Sequence, residues 1–266
     1  MFRILLIFTI FLYLVTPNIL FAETRGPATP FPTIDELVGT DLTYKIAFLW
    51  MSHVANGVFR LEKGDQPGTY RALLSARTRG VYAWLTNHRI QSYETLMQKQ
   101  VQGKLITLTH DSSIEKGEDE TRKVRTKHYI FDPDKGTITV SKIADGELWW
   151  EKDLPFTGDM PVDILTAYCN FVTGAYGQIL PGVTYVVPAF GGKSVGEIKI
   201  EILTEAERTD FGLFPEGGLL CRFTVDAEIF DTGDGAIYVW YDNKSRPARG
   251  IIEDIVGMGD IRGVMR

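Results

Sequence analysis

Leu42-Thr43-Tyr44-Lys45-Ile46-Ala47-Phe48-Leu49-Trp50 decides the fold class: Leu42, Tyr44, Ile46, Phe48 and Trp50 recur at every second position and fall on one face of an extended strand. The same period continues outward from this stretch. Val58 to Leu61 follows Asn56-Gly57, a dipeptide that favours a tight hairpin turn. Tyr70, Ala72, Leu74 and Ala76 alternate with Arg71, Ser75 and Arg77. Leu105–Thr109, Val124–Phe131 and Thr137–Ile143 read alike, the last two joined by Asp132-Pro133-Asp134-Lys135-Gly136. Further strands are expected at Val183–Val187, Glu197–Leu203, Leu219–Phe230, Ala236–Tyr241 and Gly250–Val256. In Leu219–Phe230, Leu219, Cys221, Phe223, Val225, Ala227 and Ile229 face in, and Asp231-Thr232-Gly233-Asp234-Gly235 turns into the next strand. Alternation with one polar side argues antiparallel pairing, one face covered and one wet. The chain is therefore expected to be mainly β, a strongly curved antiparallel sheet or an open barrel or sandwich.

One segment breaks the period. Val162 to Tyr176 carries apolar residues at spacings of three and four. Met160 or Asp159 caps it, Pro161 suits its first turn, and Asp163 complements the helix dipole there. Gly177 and Pro181 end it. This predicts one covering helix over about 161–176.

Residues 1–22 have the build of a secretory signal peptide: Arg3, an apolar run from Ile4 to Val15 interrupted by Thr9, a break at Thr16-Pro17-Asn18, and small Ala22 ahead of Glu23. Cleavage at about Ala22 places the mature chain in the periplasm or outside the cell. Left uncleaved, the stretch approaches the ~20 residues that span a bilayer and anchors the chain in the inner membrane. Residues 23–40, with Gly26, Pro27, Pro30 and Pro32, read as a flexible lead-in, and 41–266 as one β-rich domain. Loss of Arg3, the sole charge in 1–22, takes the formal charge from −6 to −7. So acidic a chain is a poor binder of nucleic acid, where phosphates demand cations.

The chemical motifs mostly dissolve on inspection. Gly192-Lys193-Ser194-Val195-Gly196 matches a nucleophile elbow, but that motif needs a helix after the Ser and a later His, and Glu197–Leu203 alternates like a strand with no His after His128. Asp231-Thr232-Gly233 lacks the second Asp-Thr-Gly or Asp-Ser-Gly that a shared-proton carboxylate pair requires. His53, His88, His110 and His128 are scattered, so no metal site and no cofactor are expected. Asp111, Glu115, Glu118, Asp119 and Glu120 lack the spacing of a calcium loop. The basic cluster Arg122, Lys123, Arg125 and Lys127 either compensates that acidic stretch or meets an anionic ligand or surface. Asn243-Lys244-Ser245 is a glycosylation sequon that matters only in a eukaryotic secretory pathway. Cys169 and Cys221 both face a core, as two buried thiols or as one helix-to-sheet disulfide.

Aromatics are the residue class that stands out. Tyr44, Phe48, Trp50, Trp84, Trp149, Trp150 and Trp240, with Tyr82, Tyr93 and Tyr238, either fill the core of a sandwich or line an apolar cavity within a curved sheet. The first seven are the candidates for binding a ligand. An enzyme built on carboxylates such as Asp163, Asp242 or Glu253 is the alternative, and a module for protein interaction in an envelope complex is a third.

Several segments resemble the bacterial domain-of-unknown-function-3108 family. Leu42-Thr43-Tyr44-Lys45-Ile46-Ala47-Phe48 with Ala55-Asn56-Gly57-Val58-Phe59-Arg60-Leu61 is similar to its first hairpin, and Ala76-Arg77-Thr78-Arg79-Gly80 to its second strand pair. Phe131-Asp132, Asp163-Ile164-Leu165-Thr166-Ala167-Tyr168, and Trp240-Tyr241-Asp242 through Arg246-Pro247-Ala248 resemble later steps. Thr166 stands where the family has Ser, and Val172 where it has Arg. The resemblance implies an exported, mostly β protein of Gram-negative bacteria with no catalytic residues to transfer. The expected role is non-catalytic: binding a lipid or other amphipathic envelope molecule, or assisting envelope assembly together with envelope proteins.

Overall fold

The computed structural model describes residues 31–190, 195–208, 212–225, 236–253 and 259–266. Thr33 is the N-cap of α1 (Ile34–Leu37), in a reciprocal capping box with Glu36. Eight strands then follow: β1 (Thr40–Phe48), β2 (Met51–Lys63), β3 (Thr69–Thr78), β4 (Ile90–Lys99), β5 (Leu105–Lys116), β6 (Lys123–Asp132), β7 (Thr137–Ala144) and β8 (Glu147–Pro155). A short helix, α2 (Gly80–Leu85), sits between β3 and β4. After α3 (Ile164–Val172) come β9 (Thr184–Phe190), β10 (Val195–Ile202), β11 (Leu219–Thr224), β12 (Ile237–Tyr241), β13 (Pro247–Ile252) and β14 (Ile261–Met265).

All fourteen strands form one antiparallel sheet in the order β8-β7-β6-β5-β4-β3-β2-β1-β14-β13-β12-β11-β10-β9. The sheet does not close. From edge strand β8 the chain crosses through α3 and enters at the opposite edge, β9. The sheet curls around that helix, and the packing shows it. Leu165 and Cys169 of α3 pack with Leu42, Phe59, Tyr70, Ala72 and Met97 of the first strands. Ala167, Phe171 and Val172 pack with Val187, Ile198, Ile200, Cys221 and Phe223 of the last. Beyond the helix, Phe190 at the end of β9 meets Tyr129 and Phe131 of β6 edge-on, at centroid distances of 5.2 and 6.2 Å.

The helix is shorter than its periodicity predicts. Asp163, rather than Met160 or Asp159, is the N-cap, accepting from the backbone of Leu165 and Thr166. Val162 is held extended in a parallel bridge to Ala189. Gly174, at φ +72°, turns the chain out after Thr173. Two further expectations are corrected. Asn56-Gly57 is no turn: it lies inside β2, where Tyr44 pairs with Gly57 and Lys45 with Asn56, and the chain reverses at Leu49-Trp50. The lead-in does not run to residue 40, since Ile34 is already buried in the core. Ser194 and the turn expected at Asp231–Gly235, like residues 1–22, lie outside the described residues.

Candidate functional site: a two-sided trough

Residues opposite one another on adjacent antiparallel strands share a face, so the pairing register spells out the concave wall. From Phe48 on β1, the row through β14, β13, β12, β11, β10 and β9 is Ile261, Ile252, Ile237, Phe223, Ile200 and Tyr185. No charge interrupts it. From Leu42 in the other direction the row begins alike, with Phe59, Leu74 and Tyr93. It then changes character to Ser112, Lys127, Lys142 and Trp150.

Flanking rows repeat the change. Arg125 lies opposite Ile114, and Lys152 opposite Val140. The acidic residues Asp111, Glu115, Glu151 and Asp153 register with the other face, leaving Glu147 at the tip of β8 as the exception. Among the described residues none of Arg125, Lys127, Lys142 and Lys152 forms an ion pair. Three of these cations lie against indoles: Lys142 Nζ is 4.5 Å and the Arg125 guanidinium 5.8 Å from the Trp149 ring centroid, and Lys152 Nζ is 5.6 Å from that of Trp150. One wall of the trough is apolar; the other is cationic and aromatic.

The helix fills the half of the trough nearer the start of β5, where Asn170 Oδ1 accepts from Leu105 N at 2.8 Å and its Nδ2 donates to Leu105 O at 2.9 Å. Its N-terminus ends midway, against a buried polar cluster. Thr95 Oγ1 and Thr107 Oγ1 each donate to the Asp163 carboxylate at 2.7 Å, Thr166 Oγ1 donates to it as well, and Asp163 N donates back to Thr107 Oγ1 at 3.1 Å. His110 Nδ1 lies 2.8 Å from Thr95 Oγ1 and 3.3 Å from Asp163 Oδ1. Since Thr95 gives its proton to Asp163, Nδ1 is the donor in this contact. The His110 ring stacks on Tyr93 and tilts against Tyr129. Burial alone would push the Asp163 carboxyl up; His110 and the hydroxyls beside it outweigh that and hold it down at about 2. So acidic a group is a fixed anchor at neutral pH rather than a general base.

The seven aromatic candidates do not meet in one cavity. Tyr44 and Phe48 lie on the apolar concave side, with Tyr44 Oη donating to Pro247 O at 2.9 Å. Trp50, Trp84, Trp149 and Trp150 are exposed. Trp240 registers with Leu220 and Arg249 on the opposite, convex face, and its indole N–H donates to Gly217 O at 2.9 Å, so it is no trough residue. Cys169 and Cys221 are free and buried, with no disulfide between them. The basic cluster divides: Arg122 pairs with Glu115 at 2.7 Å, while Arg125 and Lys127 face the trough. Asp242 is taken by Arg246 at 2.7 Å, and Asp163 is the anchor described above. His53, His88 and His128 bond to Asn56, Glu118 and Asp111 respectively, and among the described residues no group of His, Cys, Asp or Glu is placed to hold a metal.

Sequence reasoning missed Lys142, Lys152 and the His110–Thr95–Thr107 cluster. The period-two pattern of β7 and β8 carried the signal, because Lys142 shares parity with Val140 and Ile138. Comparison with protein-family models, with curated proteins and with solved structures finds no match for this chain.

Proposed function

We propose that the protein is a non-catalytic binder of an anionic amphiphile of the bacterial envelope, exported as the first 22 residues suggest and similar in kind to the unknown-function family named above. One observation carries this reading: the concave face runs from an uncharged apolar wall to a wall of unpaired cations and indoles, with the acidic residues of β5–β8 almost all turned to the other side. An acyl chain fits the part of the first wall that α3 leaves half-buried, Phe48, Ile261, Ile252 and Ile237, and a phosphate or carboxylate head the second. The buried Asp163 cluster supports a binding rather than a catalytic role, since its acid is spent on holding α3.

The test is titration with a short-chain phosphatidylglycerol kept below its micelle concentration, against phosphatidylcholine of equal chain length, followed by native mass spectrometry. Preference for the anionic lipid, weakened about tenfold or more by Lys127→Glu with Lys142→Glu, is the expected result. Equal affinity for the two lipids, or no retained mass with either, overturns the reading.

A further inference from the structure

A second feature adjoins the cationic wall of the trough and shares Trp149 and Trp150 with it. Strands β1, β3, β5 and β7 finish, and β2, β4, β6 and β8 begin, at the same end of the sheet. Four of the five tryptophans gather there on three separate segments. Trp50 stands at the tip of the β1–β2 reversal, Trp84 on α2, and Trp149 and Trp150 at the start of β8. Their exposures are 85%, 75%, 53% and 38%, where an indole contributing to a core would be covered. Val81 and Leu85 of α2 and Leu148 of β8 are exposed beside them. Among the described residues, the apolar groups at this end therefore belong to no core.

We infer that this tryptophan rim is a docking edge for the headgroup region of a lipid bilayer containing anionic lipid. Three observations select that occupant. Half of the exposed large apolar residues at this end, Trp50, Trp84, Trp149 and Trp150 beside Leu49, Val81, Leu85 and Leu148, are indoles, which favour an interface with one side dry and the other wet. They project from a turn, a short helix and a strand start rather than forming the flat patch that a second copy of the chain would need. The cations of Arg125, Lys142 and Lys152 lie directly against Trp149 and Trp150, so headgroup charge and indole burial are satisfied at one place. Of the acidic residues at this end, Glu115 pairs with Arg122 at 2.7 Å, and Glu118 lies 3.0 Å from His88 Nδ1.

The tryptophans themselves supply the test. The full chain, recovered from an exporting host, is mixed with phosphatidylcholine vesicles with and without phosphatidylglycerol, carrying brominated acyl chains that quench indole emission. Residues 1–30 contain no tryptophan, so quenching reports the folded part whatever the leader does. Docking predicts quenching that rises with the anionic fraction, and a fall of about tenfold in the quenched population for Trp50→Ser with Trp84→Ser. Both sites are exposed, so an unchanged urea midpoint certifies the variant's fold. Vesicles that sediment the protein without quenching overturn the inference. So does a lipid-free dimer in which the same indoles are shielded. Binding of monomeric short-chain lipid without bilayer quenching removes this inference and leaves the trough reading intact; quenching without monomer binding does the reverse.

Discussion

Asp163 shows how much a single side chain can organise. It caps α3, ties that helix to β4 and β5 through the hydroxyls of Thr95 and Thr107, accepts a further hydroxyl from Thr166 of α3 itself, and touches His110, all while 2% exposed. Asp163→Asn keeps the shape, loses the charge and gives one oxygen position to a donor facing other donors. The expected loss is about 3 kcal/mol in urea unfolding at neutral pH. The pH dependence has a definite sign. The folded carboxyl titrates at about 2 against an ordinary 3.8. Its stabilisation is therefore complete above the unfolded value and is lost as pH falls from about 4 toward 2. The gap between wild type and Asp163→Asn should narrow across that window; a constant gap would show that the charge is not what matters.

At the scale of elements, the strand alternation was legible because period two survives wherever one face is covered. That is why the alternation puts Leu42, Ala72 and Cys221 on covered faces, as the structure has them. Asn56-Gly57 misled because glycine serves another purpose there. A Cβ on Gly57 would stand 3.3 Å from both Ile46 Cδ1 and Tyr44 Cβ, so the position is bare to let neighbouring side chains lie across it. The cation wall was not legible, since it depends on which strands become neighbours. Lys127 and Lys142 meet only through the register of β6 with β7. The helix end offers a prediction of its own. At Gly174 a Cβ would fall 2.4 Å from Phe31 Cδ2, and the backbone is left-handed besides. Gly174→Ala should cost about 2–3 kcal/mol in urea unfolding, and Phe31→Ala in the same chain should return part of that.

Over the whole molecule, stability is unevenly spread. Strands β4, β5, β10 and β11 are roofed by α3 and contribute fully buried residues such as Met97, Leu105, Ile198 and Cys221. Edge strand β8 is exposed at all its positions but one, Leu154, which is half-buried. Its charges, Glu147, Glu151, Lys152 and Asp153, discourage another strand from adding to the edge. Amide hydrogen exchange in lipid-free protein should be fast through β8 and slowest where β4 pairs with β5 and β10 with β11. Protection of β8 equal to that of β10 would mean that something covers the edge in solution.

The strand order holds one more consequence, for how the chain reaches this state. Every pairing in the sheet but one joins strands that follow each other in sequence, so each forms by closing a short loop. The exception is β1 with β14, where Tyr44 meets Met265 and Phe48 meets Ile261. Two meanders, one of eight strands and one of six, thus become one sheet across a single seam. That seam needs the largest loop closure of any strand pair and is rewarded only once α3 lies between the two halves. It is the natural last step of assembly, and under mechanical load or mild denaturant the line along which the molecule parts into its two ribbons.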